Sequence, residues 1–494
     1  MKQLSALDNM FLSLEHGNQT MHVASLGIYN PATAPGGKVR FKQILAHYAS
    51  RLDKMKVFQR HLVKVPLSID LPFWLDEGAI DLEYHVRHIA LPHPGDWRQL
   101  MIQVARLHSR PLDLTKPLWE TYVIEGLDKV EGLPPDCFAI YCKMHHSMVD
   151  GDTGVELMRI QHDLQPIGRP VDRLTTYVAD RDPTRLELVS RGLSSRAERV
   201  LDAGRSLFNL GRVGLSLGGK LLKNGAIDPA KIKAVLRDAL QPGNPVTRFS
   251  GDISPHRMVT GVALPMADFQ LIRNQLKGIT VNDIFLAITG GAVRCYLAGK
   301  NELPAETLHA AVPVSTHGEK RSADEGNSVS GTLAPLLTHI ADPVERVHGI
   351  HAAMEKNKEV MGALGRDLIK ELSQLAPMLP PQLLLKHVVA KRASIIVSNV
   401  RGPNVPLYFA GAQMVRFLPI SIATNGIGLN VTGFSYDEQL WICAVSCRQM
   451  IPDPEAFTAC LQASLEELKR AVSAAAVSQK PKPRAKSSTR AVVK

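Results

Sequence analysis

The residues of this chain best suited to chemistry are the adjacent histidines His145 and His146, followed after Ser147, Met148 and Val149 by Asp150 and Gly151. Imidazole titrates near neutrality, so one ring nitrogen can take a proton from an alcohol while the other is anchored. A base so placed contributes roughly 10²–10⁴-fold to a rate. Asp150 is short-armed and close in sequence, so spacing alone does not assign it as a second base; its expected role is to lock the loop by a buried ion pair or hydrogen bonds. Gly151 permits a positive φ or a close backbone approach. Two plainer readings stand beside this one: a satisfied turn, and part of a metal site. A metal needs a third and usually a fourth ligand, and no His/Cys cluster of zinc-type spacing accompanies the pair.

The elements that must position these side chains are legible in outline. Cys137-Phe138-Ala139-Ile140-Tyr141-Cys142 has the aromatic and β-branched mixture of a buried strand, so the histidines stand where that strand leaves the core. Short apolar strands, Phe138 to Lys143, Ser394 to Ser398 and Leu440 to Ser446, alternate with helical stretches, Trp97 to His108, Asn282 to Leu297 and Pro454 to Val472. Such alternation indicates an α/β protein. A length of 494 residues exceeds what one core usually organises, so two domains are expected. The divisions expected are an amino-terminal domain 1–180 carrying the histidines, a basic helical crossover 181–250, a carboxy-terminal domain 251–476 and a disordered basic tail 477–494.

Composition fits a folded enzyme: 45% apolar and 21% charged residues. The net charge of +11 is concentrated, because Lys480, Lys482, Arg484, Lys486, Arg490 and Lys494 stand in the tail without an acidic neighbour, leaving +5 elsewhere. The tail reads either as a solubilising extension or as a segment drawn to anionic lipid headgroups; no nucleic-acid reader motif accompanies it. Between Arg185 and Lys223 the balance is again +5, with leucines at partly helical spacing. That segment is either an amphipathic helix on a membrane or lipid droplet surface, or a linker packed on its own domains. The six cysteines suggest no disulfide framework and are expected to be reduced core residues. No apolar run approaches the roughly 18 residues of a spanning helix, and the start lacks a secretory h-region.

His145-His146-Ser147-Met148-Val149-Asp150-Gly151 matches the HHxxxDG signature of the bacterial wax ester synthase/diacylglycerol acyltransferase family, which this chain resembles from about residue 4 to about 470. Other segments agree in order: Leu7-Asp8-Asn9-Met10-Phe11-Leu12, Met21-His22-Val23, Pro117-Leu118-Trp119, Val281-Asn282-Asp283-Ile284, Ser398-Asn399-Val400-Arg401-Gly402-Pro403 and Gly428-Leu429-Asn430. Two positions depart from the pattern: His317, where relatives often carry arginine, and Asn425, where a histidine is common.

The resemblance implies two chloramphenicol-acetyltransferase-like domains joined by a helical crossover, with an active-site tunnel between them. It implies transfer of a fatty acyl group from acyl-CoA to a long-chain alcohol, giving a wax ester, or to diacylglycerol, giving triacylglycerol for lipid storage. His146 would be the general base, His145 a supporting residue, Asp150 and Gly151 the loop structure, and Asn282 the oxyanion donor, unless Asn282 is only a helix cap. Arg401 would pair with a CoA phosphate or with Asp150. Neither a bound cofactor, a metal nor an acyl-enzyme is required. The expected location is cytoplasmic, peripheral at the inner membrane or lipid inclusions. Two alternatives remain: a related alcohol or amine acyltransferase acting on a small metabolite or polyketide, and a non-catalytic lipid-binding protein.

Overall fold

The computed structural model describes residues 1–149, 151–167, 179–196, 201, 243–315, 329–364, 385 and 389–478. Asp150, His317, most of the basic crossover and the tail from residue 479 lie outside the described residues. In chain order the elements are β1 (Lys2–Gln3), α1 (Ala6–Leu14), β2 (His22–Asn30), α2 (Phe41–Arg51), β3 (Arg60–Val63), β4 (Phe73–Asp76), α3 (Leu82–His85), β5 (Val86–Ala90), α4 (Trp97–His108), β6 (Trp119–Glu125), β7 (Phe138–His145) and α5 (Gly151–Gln161). After the crossover come β8 (Arg257–Pro265), α6 (Met266–Gln275), α7 (Val281–Gly299), β9 (His309–Ser315), β10 (Val329–Pro335), α8 (Pro343–Leu364), β11 (Ile395–Arg401), β12 (Tyr408–Phe409), β13 (Ala412–Ile420), β14 (Leu429–Tyr436), β15 (Gln439–Cys447) and α9 (Pro454–Ser478).

Two mixed six-stranded sheets carry the fold, in the orders β12-β13-β2-β7-β6-β5 and β10-β9-β11-β14-β15-β8, beside a small sheet β1-β4-β3. β7 is buried along its whole length between β2 and β6, which explains its run of apolar residues. The first sheet is not built from the first half of the chain alone. β13 pairs antiparallel with β2, from Gln413 opposite Asn30 to Ile420 opposite Ala24, so a segment within 251–476 completes the amino-terminal sheet.

Local chemistry sets the helix starts. Ser5 and Asp8 form a reciprocal capping box on α1, as do Asp96 and Gln99 on α4 and Thr280 and Asp283 on α7. α4 buries Leu100, Met101, Val104 and Leu107, recurring at three- and four-residue intervals, against the sheet. The expectation of reduced cysteines is corrected at one pair: Cys295 on α7 and Cys460 on α9 form a disulfide. These helices pack against each other, and a partnership across 165 positions leaves no mark in sequence spacing. Cys137, Cys142, Cys443 and Cys447 are free and buried.

The described start of the crossover is helical and two-faced. Leu188 is buried against Val65 and Phe73, whereas Leu186 and Leu193 are 80% and 55% exposed.

Candidate functional site

β7 ends at His145, and the chain turns through His146 to Val149 before α5 begins at Gly151. The backbone pins this turn from both sides. The His145 N–H donates to the Leu118 carbonyl at 2.9 Å, the His146 N–H to Met21 O at 2.8 Å, and the Met148 N–H to His145 O at 2.9 Å. Leu118 belongs to Pro117-Leu118-Trp119 and Met21 precedes His22, so these motifs hold the loop as well as filling core. Trp119 is fully buried, and its indole N–H donates to Phe58 O at 2.9 Å.

The His146 ring is half-buried and lies flat on the Phe11 ring of α1, centroids 4.1 Å apart and planes 8° from parallel. His145 is fully buried. Its Nδ1 receives the Ser147 backbone N–H at 3.1 Å and faces Ser147 Oγ at 2.8 Å. Since a backbone N–H can only donate, Nδ1 is bare and the ring proton resides on Nε2. Nε2 lies 3.2 Å from Glu15 Oε2, outside hydrogen-bond alignment, so this contact is electrostatic. Glu15 Oε2 also accepts the Met21 N–H at 2.8 Å. Burial pushes the Glu15 carboxyl up, but His145, the Met21 amide and Lys143 outweigh it and hold the group below its ordinary 4.5.

His22 stands opposite His145 in the β2–β7 register and is fully buried. Its Nε2–H donates to the His108 carbonyl. His108 accepts the Tyr141 hydroxyl on Nδ1 at 2.9 Å and donates from Nε2 to Ser421 O at 3.1 Å. Burial, aided by neighbouring positive groups, pushes His22 well below the usual imidazole range and His108 to about 3. Both are neutral packing residues at pH 7. One layer away, Lys143 is buried with its Nζ 3.2 Å from Glu120 and donating to Arg110 O at 2.9 Å, which ties the end of α4 to β7.

Asn282 is not the cap of α7. Thr280 takes that position, accepting the Asp283 N–H at 3.2 Å, while Asp283 accepts from Thr280 and meets His351 Nδ1 at 2.9 Å. Asn282 sits one residue inside the helix, half-exposed, and its side chain makes no hydrogen bond among the described residues. Arg401 ends β11, exposed, without an ion-pair partner among the described residues. Gly402 after it is obligatory: a Cβ there would stand 2.1 Å from the Phe434 ring and 2.3 Å from Ser435 O. Asn425, the departure noted in sequence, accepts the Ile253 N–H on its side-chain oxygen at 3.0 Å and donates its own backbone N–H to Gln19 Oε1 at 2.9 Å. Among the described residues, no group of three His, Cys, Asp or Glu side chains is placed to hold a metal ion.

Glu15 and Phe11 are the site residues that sequence reading missed. Phe11 lies in the segment Leu7 to Leu12, whose motif resemblance was the available signal; Glu15 had none.

Residues 4–285 match the wax ester synthase/diacylglycerol acyltransferase catalytic domain, and residues 325–469 the WS/DGAT C-terminal domain. A Mycobacterium tuberculosis protein bearing a diacylglycerol O-acyltransferase name is 32% identical over 484 residues, 95% of this chain and 100% of that one. The O-acyltransferase WSD of Acinetobacter baylyi is 30% identical over 92% of this chain and 93% of its own. In three dimensions the wax ester synthase/diacylglycerol acyltransferase of Marinobacter aquaeolei VT8 superposes with a TM-score of 0.66 at 25% identity, covering 96% of this chain and 100% of that chain. The starter condensation domain of rhizomide synthetase, 12% identical with a TM-score of 0.54 over 96% of this chain and 94% of that one, shares the fold alone. With its ordered motifs, its pinned histidine loop and these matches over nearly its whole length, the chain belongs to the wax ester synthase/diacylglycerol acyltransferase family.

Proposed function

We propose that His146 is the general base of this acyltransferase, moving a fatty acyl group from acyl-CoA to a long-chain alcohol or to diacylglycerol. The observation that carries this reading is the seating of His146: a half-buried imidazole at the mouth of a buried strand, with its backbone pinned and its ring laid on Phe11. The acceptor hydroxyl gives its proton to His146 as its oxygen bonds to the thioester carbonyl carbon. When the C–S bond breaks, the imidazolium returns that proton to the CoA thiolate. The Phe11 face favours the transient cation. His145, its Nε2 3.2 Å from Glu15, supports the loop, and Asp150 and Gly151 are proposed as loop residues. Transfer is direct, through a ternary complex.

Asn282 is proposed as the oxyanion donor. Thr280 already caps α7, so the Asn282 amide is not consumed there, and it lies in the first turn, where the helix dipole favours negative charge. A donor of this kind is worth about 3–4 kcal/mol. Lipid contact is proposed to be peripheral: among the described residues no helix is long and apolar enough to cross a membrane, and exposed Leu186 and Leu193 stand beside Arg185 and Arg191.

The test is CoA release from palmitoyl-CoA by the purified chain, offered hexadecanol or a diacylglycerol in parallel, with products weighed by mass spectrometry. Acceptor-dependent release is expected, reduced roughly 10²–10⁴-fold in His146→Ala. Full activity in that variant would remove His146 as the base.

A further inference from the structure

A cavity of about 380 Å³ opens between α4, from the first half of the chain, and β8 and α9, from the second. Its lining carries four arginines, Arg98, Arg106, Arg257 and Arg448, against a single glutamate, Glu455. Arg98, Arg106 and Arg448 are exposed at the mouth, and only Arg98 approaches Glu455, at 3.9 Å. Arg257 differs from them. It is 7% exposed, its guanidinium donates to the carbonyls of Ser254 and Asn18, and no carboxylate among the described residues is in ion-pair contact with it. A buried cation without a counter-charge is costly, and a bound anion would relieve that cost. Between the arginines the wall is apolar, with Met101, Ile102 and Val259 among its residues.

The lining is tied to the proposed catalytic loop through a chain of neighbours. Ser109 of the lining directly follows His108, whose carbonyl holds His22, and His22 is the register partner of His145. Asn18, which takes the Arg257 guanidinium, lies on the short connection between the helix bearing Phe11 and β2. Of the substrates proposed above, the alcohol and diacylglycerol are uncharged, while acyl-CoA carries a diphosphate and a ribose phosphate at the end remote from its thioester. A basic mouth over an apolar wall matches the polyanion and neither neutral lipid.

Resting on the acyl-CoA reading of the preceding section, we infer that the arginine-rimmed cavity between α4 and the β8–α9 pair is the docking site of the CoA phosphates, with Arg106 and Arg448 at its mouth and Arg257 at its floor. Arg401, on β11, lies outside this lining.

The test uses the full chain and free CoA as the probe. Binding of CoA is measured by calorimetry, and steady-state rates with palmitoyl-CoA and hexadecanol are measured beside it. The variants are Arg106→Ala/Arg448→Ala, Arg401→Ala and, as an exposed charge-loss control on α6, Arg273→Ala. Both arginines are exposed, so the double variant should fold. Each lost charge-assisted contact costs about tenfold, so the CoA dissociation constant and the KM for palmitoyl-CoA should rise about 100-fold in the double variant, with kcat and the KM for hexadecanol unchanged. Salt should weaken CoA binding to the wild type and do so less in the double variant. Wild-type CoA affinity in the double variant, or a comparable loss in Arg401→Ala, would overturn the assignment while leaving the acyltransferase reading intact. A wild-type chain that binds no CoA would overturn both.

Discussion

The general base proposed here is only as good as the hold on its ring, and the two neighbouring imidazoles are held differently. His146 is located by backbone bonds and the Phe11 face. His145 is located by the Ser147 N–H on its Nδ1 and by the Glu15 carboxylate 3.2 Å from its Nε2. Glu15 is therefore proposed to position the loop through His145. Replacing it by glutamine keeps the size but removes the charge, so Glu15→Gln should lower kcat roughly 10-fold to 100-fold, with the KM for acyl-CoA unchanged, because small misplacements of a catalytic group cost that much. A kcat equal to that of the wild type would show that the Glu15 contact is idle. The same carboxyl fixes a pH limit. Its folded pKa lies below the ordinary 4.5, so its contribution is present above that value and disappears as pH falls through the lowered one. The histidine pair was legible in sequence because residue type and motif spacing coincide within seven positions. Glu15 was not, because a carboxylate delivered from the end of α1 has no spacing relation to β7.

At the scale of elements, β7 delivers the site, and it does so while carrying a lysine through the core. Lys143 is anchored by Glu120 on the adjacent β6 and by the carbonyls of Leu107 and Arg110 at the end of α4. Its neighbour Glu120 also takes the Tyr122 hydroxyl at 2.9 Å and Arg87 at 3.3 Å. Breaking a buried pair by removing one partner is strongly destabilising, so Lys143→Met should cost about 3 kcal/mol. Urea unfolding of Lys143→Met, Glu120→Gln and the double variant measures this. A double variant recovering part of the loss is expected, and an unshifted midpoint in Lys143→Met would mean the pair holds nothing. The sequence reading found this strand because Phe138 to Cys142 is apolar without interruption. It stopped near Lys143 because a lysine usually marks the end of burial, whereas the strand runs on to His145. It also left Asn282 between donor and cap, and the structure gives the cap to Thr280, earlier in the chain, a boundary that sequence spacing alone does not fix.

At the scale of the whole molecule the two halves are sewn together, and buried histidines lie along the seam. β12 and β13 leave the second half to complete the first sheet, a crossing that no composition shift announces, which is why boundaries at 180 and 251 could be drawn in sequence while this exchange could not. Phe409 of β12 packs on the rings of His47, Tyr29 and His162, and His108 bonds Ser421 just beyond β13. Burial pushes His47 to about 4, His162 to about 4 and His108 to about 3, against an ordinary 6.5. The charged groups facing them, Arg51 and Asp163 beside His47 and His162, and Lys143 and Arg257 near His108, modify these shifts without reversing them. Below pH 6.5 the unfolded chain takes up protons that the native chain refuses, so stability falls as pH falls, by about 1.4 kcal/mol per pH unit for each such histidine. The contribution is complete above pH 6.5 and lost on descent toward pH 4. The urea midpoint should therefore drop steeply between pH 7 and pH 5, before ordinary carboxylates titrate, and His108→Gln should flatten that slope by about one histidine's share. A midpoint constant from pH 7 to pH 5 would mean that the seam opens to water and its histidines are not held neutral.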